Sequence, residues 1–198
     1  MAYPTLDAAY GFKPVNLLGG TSFAGSTRRI PIASDYNVAI FNGDLVKVVG
    51  AGNVERFTGT NSGSPVGVCL GVEYVNAAGQ LEFAQYYPGT SVTEAFAIVM
   101  DNPSAIYKVA VVADGTGLIS EEDRTIVGAN IELDQTLGGL TSTGNSRQGI
   151  AAGTDAATAA FPIRVIDMVE DTKKSNGKYV EALVKINNHQ YNNTTGVN

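Results

Sequence analysis

The chain has 198 residues with 13 Lys and Arg against 19 Asp and Glu, a formal charge of −6, one Cys, one His and no Trp. A chain this long buries about 70% of its unfolded surface and needs no disulfide staples, and a single Cys cannot make one within the chain. The basic residues are scattered, with Arg28-Arg29 and Lys173-Lys174 the longest runs. That distribution argues against nucleic-acid binding, and one His with one Cys leaves too few ligands for the common zinc sets.

The first 28 residues stand apart. Tyr3, Pro4, Tyr10, Phe12, Pro14, Leu17 and Leu18 lie among small and turn-forming residues with neither helical nor period-two order, yet the stretch is too apolar for a disordered tail. Residues 1–28 are therefore expected to form an extended arm lying on a surface, of its own domain or of a partner. Lys13, Arg28 and Arg29 against Asp7 give this arm a positive excess inside an acidic chain. Met1 to Asp7 shows no charged region followed by an apolar one, so no signal peptide is expected. No apolar run approaches the roughly 20 residues needed to cross a bilayer, and no membrane partner is expected.

From Arg29 onward strand signals recur, and residues 29–198 are expected to form one domain. Ile30-Pro31-Ile32-Ala33 reads as an edge piece, because proline lacks a ladder donor. Tyr36 to Ile40 reads as a strand. Asp44 to Val49 and Val54 to Phe57 read as a hairpin around Gly50-Ala51-Gly52-Asn53, followed by a longer strand from Val66 to Val75. Leu81 to Tyr87 alternates apolar and polar as a half-buried strand does. Ala95 to Met100 and Ile106 to Val112 flank an Asp101-Asn102-Pro103-Ser104 turn. One helical turn is expected at Ser120, with Glu121, Glu122 and Asp123 suited to the positive end of a helix dipole. Residues 134–160, rich in Gly, Thr, Ser and Ala, read as a long surface loop with one short strand near Gln148 to Ala152. The chain closes on a hairpin, Phe161 to Val169 and Lys178 to Asn187, whose second strand sets Val180, Ala182, Val184 and Ile186 against Tyr179, Glu181 and Lys185. The fold class expected is mainly β: a compact β-barrel or β-tulip-like domain with at most one short helix.

Groups equipped for chemistry are scarce. Cys69 lies in the apolar run Val66-Gly67-Val68-Cys69-Leu70 and reads as a small buried hydrophobe. His189, among Asn187, Asn188 and Gln190, reads as a polar tail residue, and no Gly-x-Ser-x-Gly elbow accompanies it. Gly50-Ala51-Gly52 lacks the third glycine and the helix of a dinucleotide loop, and Gly115-Thr116-Gly117 lacks the Lys-Ser/Thr of a phosphate loop. Three consecutive acids at 121–123 do not converge on a cation. The expectation is a protein without catalytic, cofactor or metal residues.

Gly43-Asp44-Leu45-Val46-Lys47-Val48, the hairpin to Phe57 and Ser64-Pro65-Val66-Gly67-Val68 resemble segments of the head decoration, or cement, proteins of tailed bacteriophages. So do Met1 to Asp7 and His189-Gln190-Tyr191-Asn192-Asn193 at the ends. The resemblance implies a β-barrel or β-tulip core on the outer capsid surface of a virion, made in the host cytoplasm. It implies a homotrimer that clamps neighbouring subunits of the major capsid protein, with the arm running along that partner. On this reading the interface anchors are Tyr3, Pro4, Leu6, Tyr10, Phe12, Arg28, Arg29 and Tyr191, and removal of residues 1–28 should abolish attachment yet leave a folded barrel. A tail or head-fibre component and a carbohydrate-binding β-sandwich are the alternative readings.

Overall fold

Val-, Ile- and Ala-rich segments of period two pair here into sheets whose inward faces make the core. The structure is a computed structural model and describes residues 9–169, 172, 180–194 and 196. In chain order the strands are β1 (Lys13–Leu17), β2 (Arg28–Pro31), β3 (Ile40–Phe41), β4 (Leu45–Val48), β5 (Val54–Arg56), β6 (Gly67–Asn76), β7 (Leu81–Ala84), β8 (Tyr86–Tyr87), β9 (Val92–Met100), β10 (Ala105–Ala113), β11 (Asn130–Ile131), β12 (Leu133–Asp134), β13 (Gly149–Ala152), β14 (Ile163–Met168) and β15 (Glu181–Ile186). One sheet runs β11-β14-β15-β10-β13-β12 with β1 also on β10; a second runs β2-β9-β6-β4-β5 with β7 also on β6; β3 and β8 form a ribbon. The protein is mainly β, with a nearly closed barrel-like sheet. Helical structure among the described residues is confined to short 3-10 turns such as Gly50–Gly52 and Arg124–Ile126.

A small apolar cluster joins Ala9, Ala110 and Val112, and two large ones fill most of the molecule. In one, Leu45, Val68 and Met100 of the second sheet meet Tyr107, Val109, Val165 and Val184 of the first. In the other, Ile30, Val46, Cys69, Val72, Ala97 and Val99 line the opposite face of the second sheet. The strands are therefore sorted by alternation: neighbours such as Leu45 and Val46 serve different cores.

Several segments differ from their sequence-based reading. Of the strand expected from Tyr36 to Ile40, only Ile40 is in a strand, the first residue of β3. Tyr36 instead stacks on Tyr87 at 6.3 Å, accepts the Tyr87 hydroxyl on its carbonyl at 2.7 Å, and takes the Arg56 amide on its own hydroxyl at 3.0 Å. The helical turn begins three residues later than Ser120, at Asp123, and no side chain caps it. The Asp171 to Gly177 turn falls outside the described residues except for Thr172, whereas β14 and β15 pair antiparallel from Ile163–Ile186 to Met168–Ala182.

The stretch 134–160 is more than surface. Ser146, Gln148, Ile150 and Ala151 are buried, and β13 joins β10 in a parallel pairing. What draws this polar stretch inward is Asp44. Its buried carboxylate accepts from the Phe41 amide at 2.9 Å and the Ser146 hydroxyl at 2.6 Å, and lies 3.3 Å from the Arg56 guanidinium. Gln148 completes the seam by accepting the Leu45 amide at 2.8 Å. Gly43 (φ +94) takes a left-handed conformation that a side chain resists, and the Phe12 amide bonds its carbonyl at 2.9 Å. A Cβ on Gly11 would sit 2.6 Å from both Gly43 O and Ser146 Cβ. The Gly43-Asp44 pair is thus a junction where the N-terminal segment, β4 and the 134–160 stretch meet.

Candidate binding interface

The side chains with chemical potential are turned inward. Cys69 is fully buried, its thiol donates to Gly71 O at 3.4 Å, and burial pushes its pKa up to about 12. A thiol in that state has no thiolate to offer. Iodoacetamide at pH about 8 is expected to leave Cys69 unmodified until denaturant is added, read by intact mass; labelling of the native protein would refute this. His189 is buried and not a solvated tail residue: its Nδ1 accepts the Tyr191 amide at 3.1 Å. Glu122 is spent on the backbone, accepting from Gly153 N at 2.8 Å and Asp123 N at 3.0 Å. Among the described residues no three His, Cys, Asp or Glu converge as a metal ion requires.

Most of the expected arm anchors are engaged within the chain. Phe12 is fully buried and meets Tyr107 edge-on at 6.3 Å, and the segment after it forms β1 on β10. Residues 12–17 are thus part of the domain core and its first sheet, not an arm free to dock elsewhere. Apolar residues without regular periodicity serve a core as well as they serve an interface, which is why sequence left both surfaces open. Tyr10 donates to the Glu181 carboxylate, which also pairs with Lys108 at 3.0 Å. Arg28 and Tyr191, distant in sequence, meet at Asp101: Arg28 pairs with that carboxylate, the Tyr191 hydroxyl donates to it at 3.1 Å, and the guanidinium lies 5.2 Å from the Tyr191 ring. Arg29 pairs with Glu73 and stacks 3.3 Å over the Phe96 ring. Tyr3, Pro4 and Leu6 lie outside the described residues.

The unsatisfied surface lies elsewhere. Phe96, Ile98 and Met100 occupy one face of β9 by the strand's period of two. The first sheet covers Met100, which is fully buried in the shared core, but stops short of Ile98 and Phe96, which are half-buried. Across the strands a single row runs Pro31, Phe96, Glu73, Phe83, in register from β2 through β9 and β6 to β7. At its end Phe83 is 72% exposed, with Leu81 at 59% on the same face. The single half-buried strand expected at 81–87 is two strands in different sheets, β7 at 81–84 and β8 at 86–87, and the apolar face of β7 is exposed because it looks away from the core.

β7 is also a bare edge. It pairs with β6, and among the described residues no other backbone hydrogen bond reaches 81–84. The opposite edge, β2, carries Pro31 and two arginines, features that discourage further pairing. β7 has no proline or lysine, and its one charge, Glu82, is held by Asn76. Backbone strain sits close by, with Ser91 (φ 59) and Glu94 (φ 47) in the left-handed region at the start of β9, where the ladder with β6 shifts register. A bulge there re-aims the side chains that follow it.

These features define a mainly-β scaffold with its reactive groups buried and one open, apolar sheet edge. Comparison with protein-family models, with curated proteins and with solved structures finds no match to this chain. No helix among the described residues is long and apolar enough to cross a membrane.

Proposed function

We propose that this chain is a structural protein of a phage virion, binding the outside of the capsid and clamping neighbouring major capsid subunits, as a homotrimer. The observation that carries the reading is the uncovered end of the second sheet, where Leu81 and Phe83 stand on an unpaired strand edge. An edge of this kind takes an added strand: main-chain hydrogen bonds supply affinity, and apolar side chains alternating along the strand supply register. The occupant is an extended segment of the capsid protein, laid along β7 with its apolar residues on Phe83, Leu81 and Phe96. The segments at 41–75 that resemble decoration proteins build the platform beneath this edge, since β4, β5 and β6 are its strands. The burial of Cys69 and His189 supports a binding role over a catalytic one.

The test mixes the purified chain with phage shells stripped of their decoration and locates it by cryo-electron microscopy. Density over the capsid surface, with β7 against a capsid strand, is the expected result. Phe83→Asp is expected to weaken binding by at least about tenfold, because exposed aromatic residues dominate interface energetics. The same change should leave the unfolding midpoint within experimental scatter, since Phe83 packs little of its surface. Density on tail or fibre, or binding to a glycan array in place of shells, would overturn the proposal.

A further inference from the structure

The described C-terminal residues form a latch across the body of the chain. The Asn187 amide donates to Pro162 O at 2.7 Å, and its side chain donates to Phe161 O at 3.0 Å. The Gln190 amide donates to Pro65 O at 3.0 Å, while its side chain both accepts from Val48 N and donates to Val48 O at 2.8 Å. Tyr191 reaches Asp101, and the Asn193 side chain donates to Ser64 Oγ at 2.7 Å. These contacts are polar and lie at the surface. Within residues 187–194 the one buried side chain is His189.

That imidazole is placed to be neutral. Nδ1 accepts the Tyr191 amide, so the ring proton sits on Nε2, which is buried beside the Val66 and Asp101 backbone. A second proton has to go onto Nδ1. There it would face the Tyr191 N–H, donor against donor, and break the bond that turns the chain at Gln190–Asn192.

The surroundings offset the charge only in part. The turn at 63–66 contributes Pro65 and Val66 and no ionisable group. The end of β9 contributes the Asp101 carboxylate, already committed to Arg28 of β2 and to the Tyr191 hydroxyl. β4, touched at Val48, carries Lys47 paired with Glu55 of β5 at 3.8 Å.

We infer that the latch is a pH-sensitive device: protonation of His189 expels residues 188–193 from the body and releases Tyr191 from the Arg28–Asp101 pair. Burial lowers the His189 pKa from its ordinary 6.5, with the nearby Val66 backbone and Asp101 opposing in part. The sign follows. The body-bound state holds fewer protons than the released one, so the latch is at full strength above pH 6.5 and is lost as pH falls through the lowered value. The inference stands on the latch alone and is independent of what the protein binds.

The single histidine makes the test direct, because the imidazole gives one signal in an NMR titration from pH about 8 to about 5. Amide signals of Gln190, Tyr191 and Asn193 are expected to move from dispersed to random-coil positions with the midpoint of the imidazole. In His189→Asn, whose side-chain oxygen can still accept the Tyr191 amide but cannot titrate in this range, they are expected to stay dispersed throughout. Asp101→Asn removes the one facing carboxylate, which favours the imidazolium, and is expected to move the midpoint to lower pH together with the imidazole's own. Tail signals that remain dispersed after the imidazole has titrated, or that move at a different midpoint, overturn the inference; so does a folded His189→Asn whose tail detaches at the same pH.

Discussion

Asp44→Ala is expected to lower the unfolding free energy by about 3–5 kcal/mol, the usual cost of removing one partner from a buried charge pair. The carboxylate is fully buried, and three groups depend on it: the Phe41 amide, the Ser146 hydroxyl and the Arg56 guanidinium. Alanine leaves the Phe41 amide and the Ser146 hydroxyl without this acceptor and Arg56 without its counter-charge in a buried site, and it removes one of the two ties between β4 and the 134–160 stretch, the other being Gln148 on Leu45. Urea unfolding followed by circular dichroism measures the loss, and a change below about 1 kcal/mol would show that the junction is dispensable. Arg56→Ala combined with Asp44→Ala should cost less than the sum of the single changes, because each removes the other's stranded partner. The pH dependence has a definite sign. Burial holds the Asp44 carboxyl above its ordinary 3.8, opposed by Arg56, Ser146 and Phe41, so folding favours its protonated form. This group's contribution is fully present below pH 3.8 and is lost as pH rises through the raised value; the alanine variant should lack that component.

Phe12→Ala is expected to cost about 3–5 kcal/mol, as aromatic-to-alanine changes in a packed core do. The ring is fully buried against Tyr107 and sits one residue before β1. Loss of the whole segment should be worse. A chain starting at residue 29 lacks Phe12, β1 and the first residue of β2, and is expected to remain unfolded by circular dichroism rather than yield a barrel without its arm. A cooperative unfolding transition in that truncated chain would sink the claim that residues 12–17 belong to the core. Any attachment role for the N-terminus is then left to the residues before Ala9.

Much of the strand content could be read from the sequence because it lies in local pattern. Val54 to Phe57 and the Val66 to Val75 run announce themselves by β-branched density between glycine turns, and the buried face Val180, Ala182, Val184, Ile186 by alternation. Glu181 was placed on the polar face by the same alternation, yet it is buried, because Lys108 and Tyr10 come from far away in sequence to satisfy it. The burial of His189 is hidden for a similar reason: no local signal says that a polar tail folds back over Pro65 and Val48. The exposed row was partly legible. Asn76 N bonds Gln80 O at 2.9 Å, and pairs counted back from that turn set Phe83 opposite Glu73. Glu73 lies between the inward Val72 and Tyr74, so its partner must face outward too. What no pattern in the chain foretells is that the first sheet ends at Met100, leaving Phe96 to be covered only by Arg29 and Phe83 open.

The arrangement around β10 also orders events in time. Its neighbours are β1 from the beginning of the chain, β13 from beyond the middle, and β15 from near the end. No contiguous early fragment can complete this sheet, since its central strand has one side empty until Glu181–Ile186 has been made. Pairings between segments so far apart must meet the entropy of loop closure before they gain anything, which makes such topologies slow to form. The newborn chain therefore leaves the ribosome with β10 and the inner faces of β1 and β14 exposed, and during that interval it depends on being kept apart from its own copies.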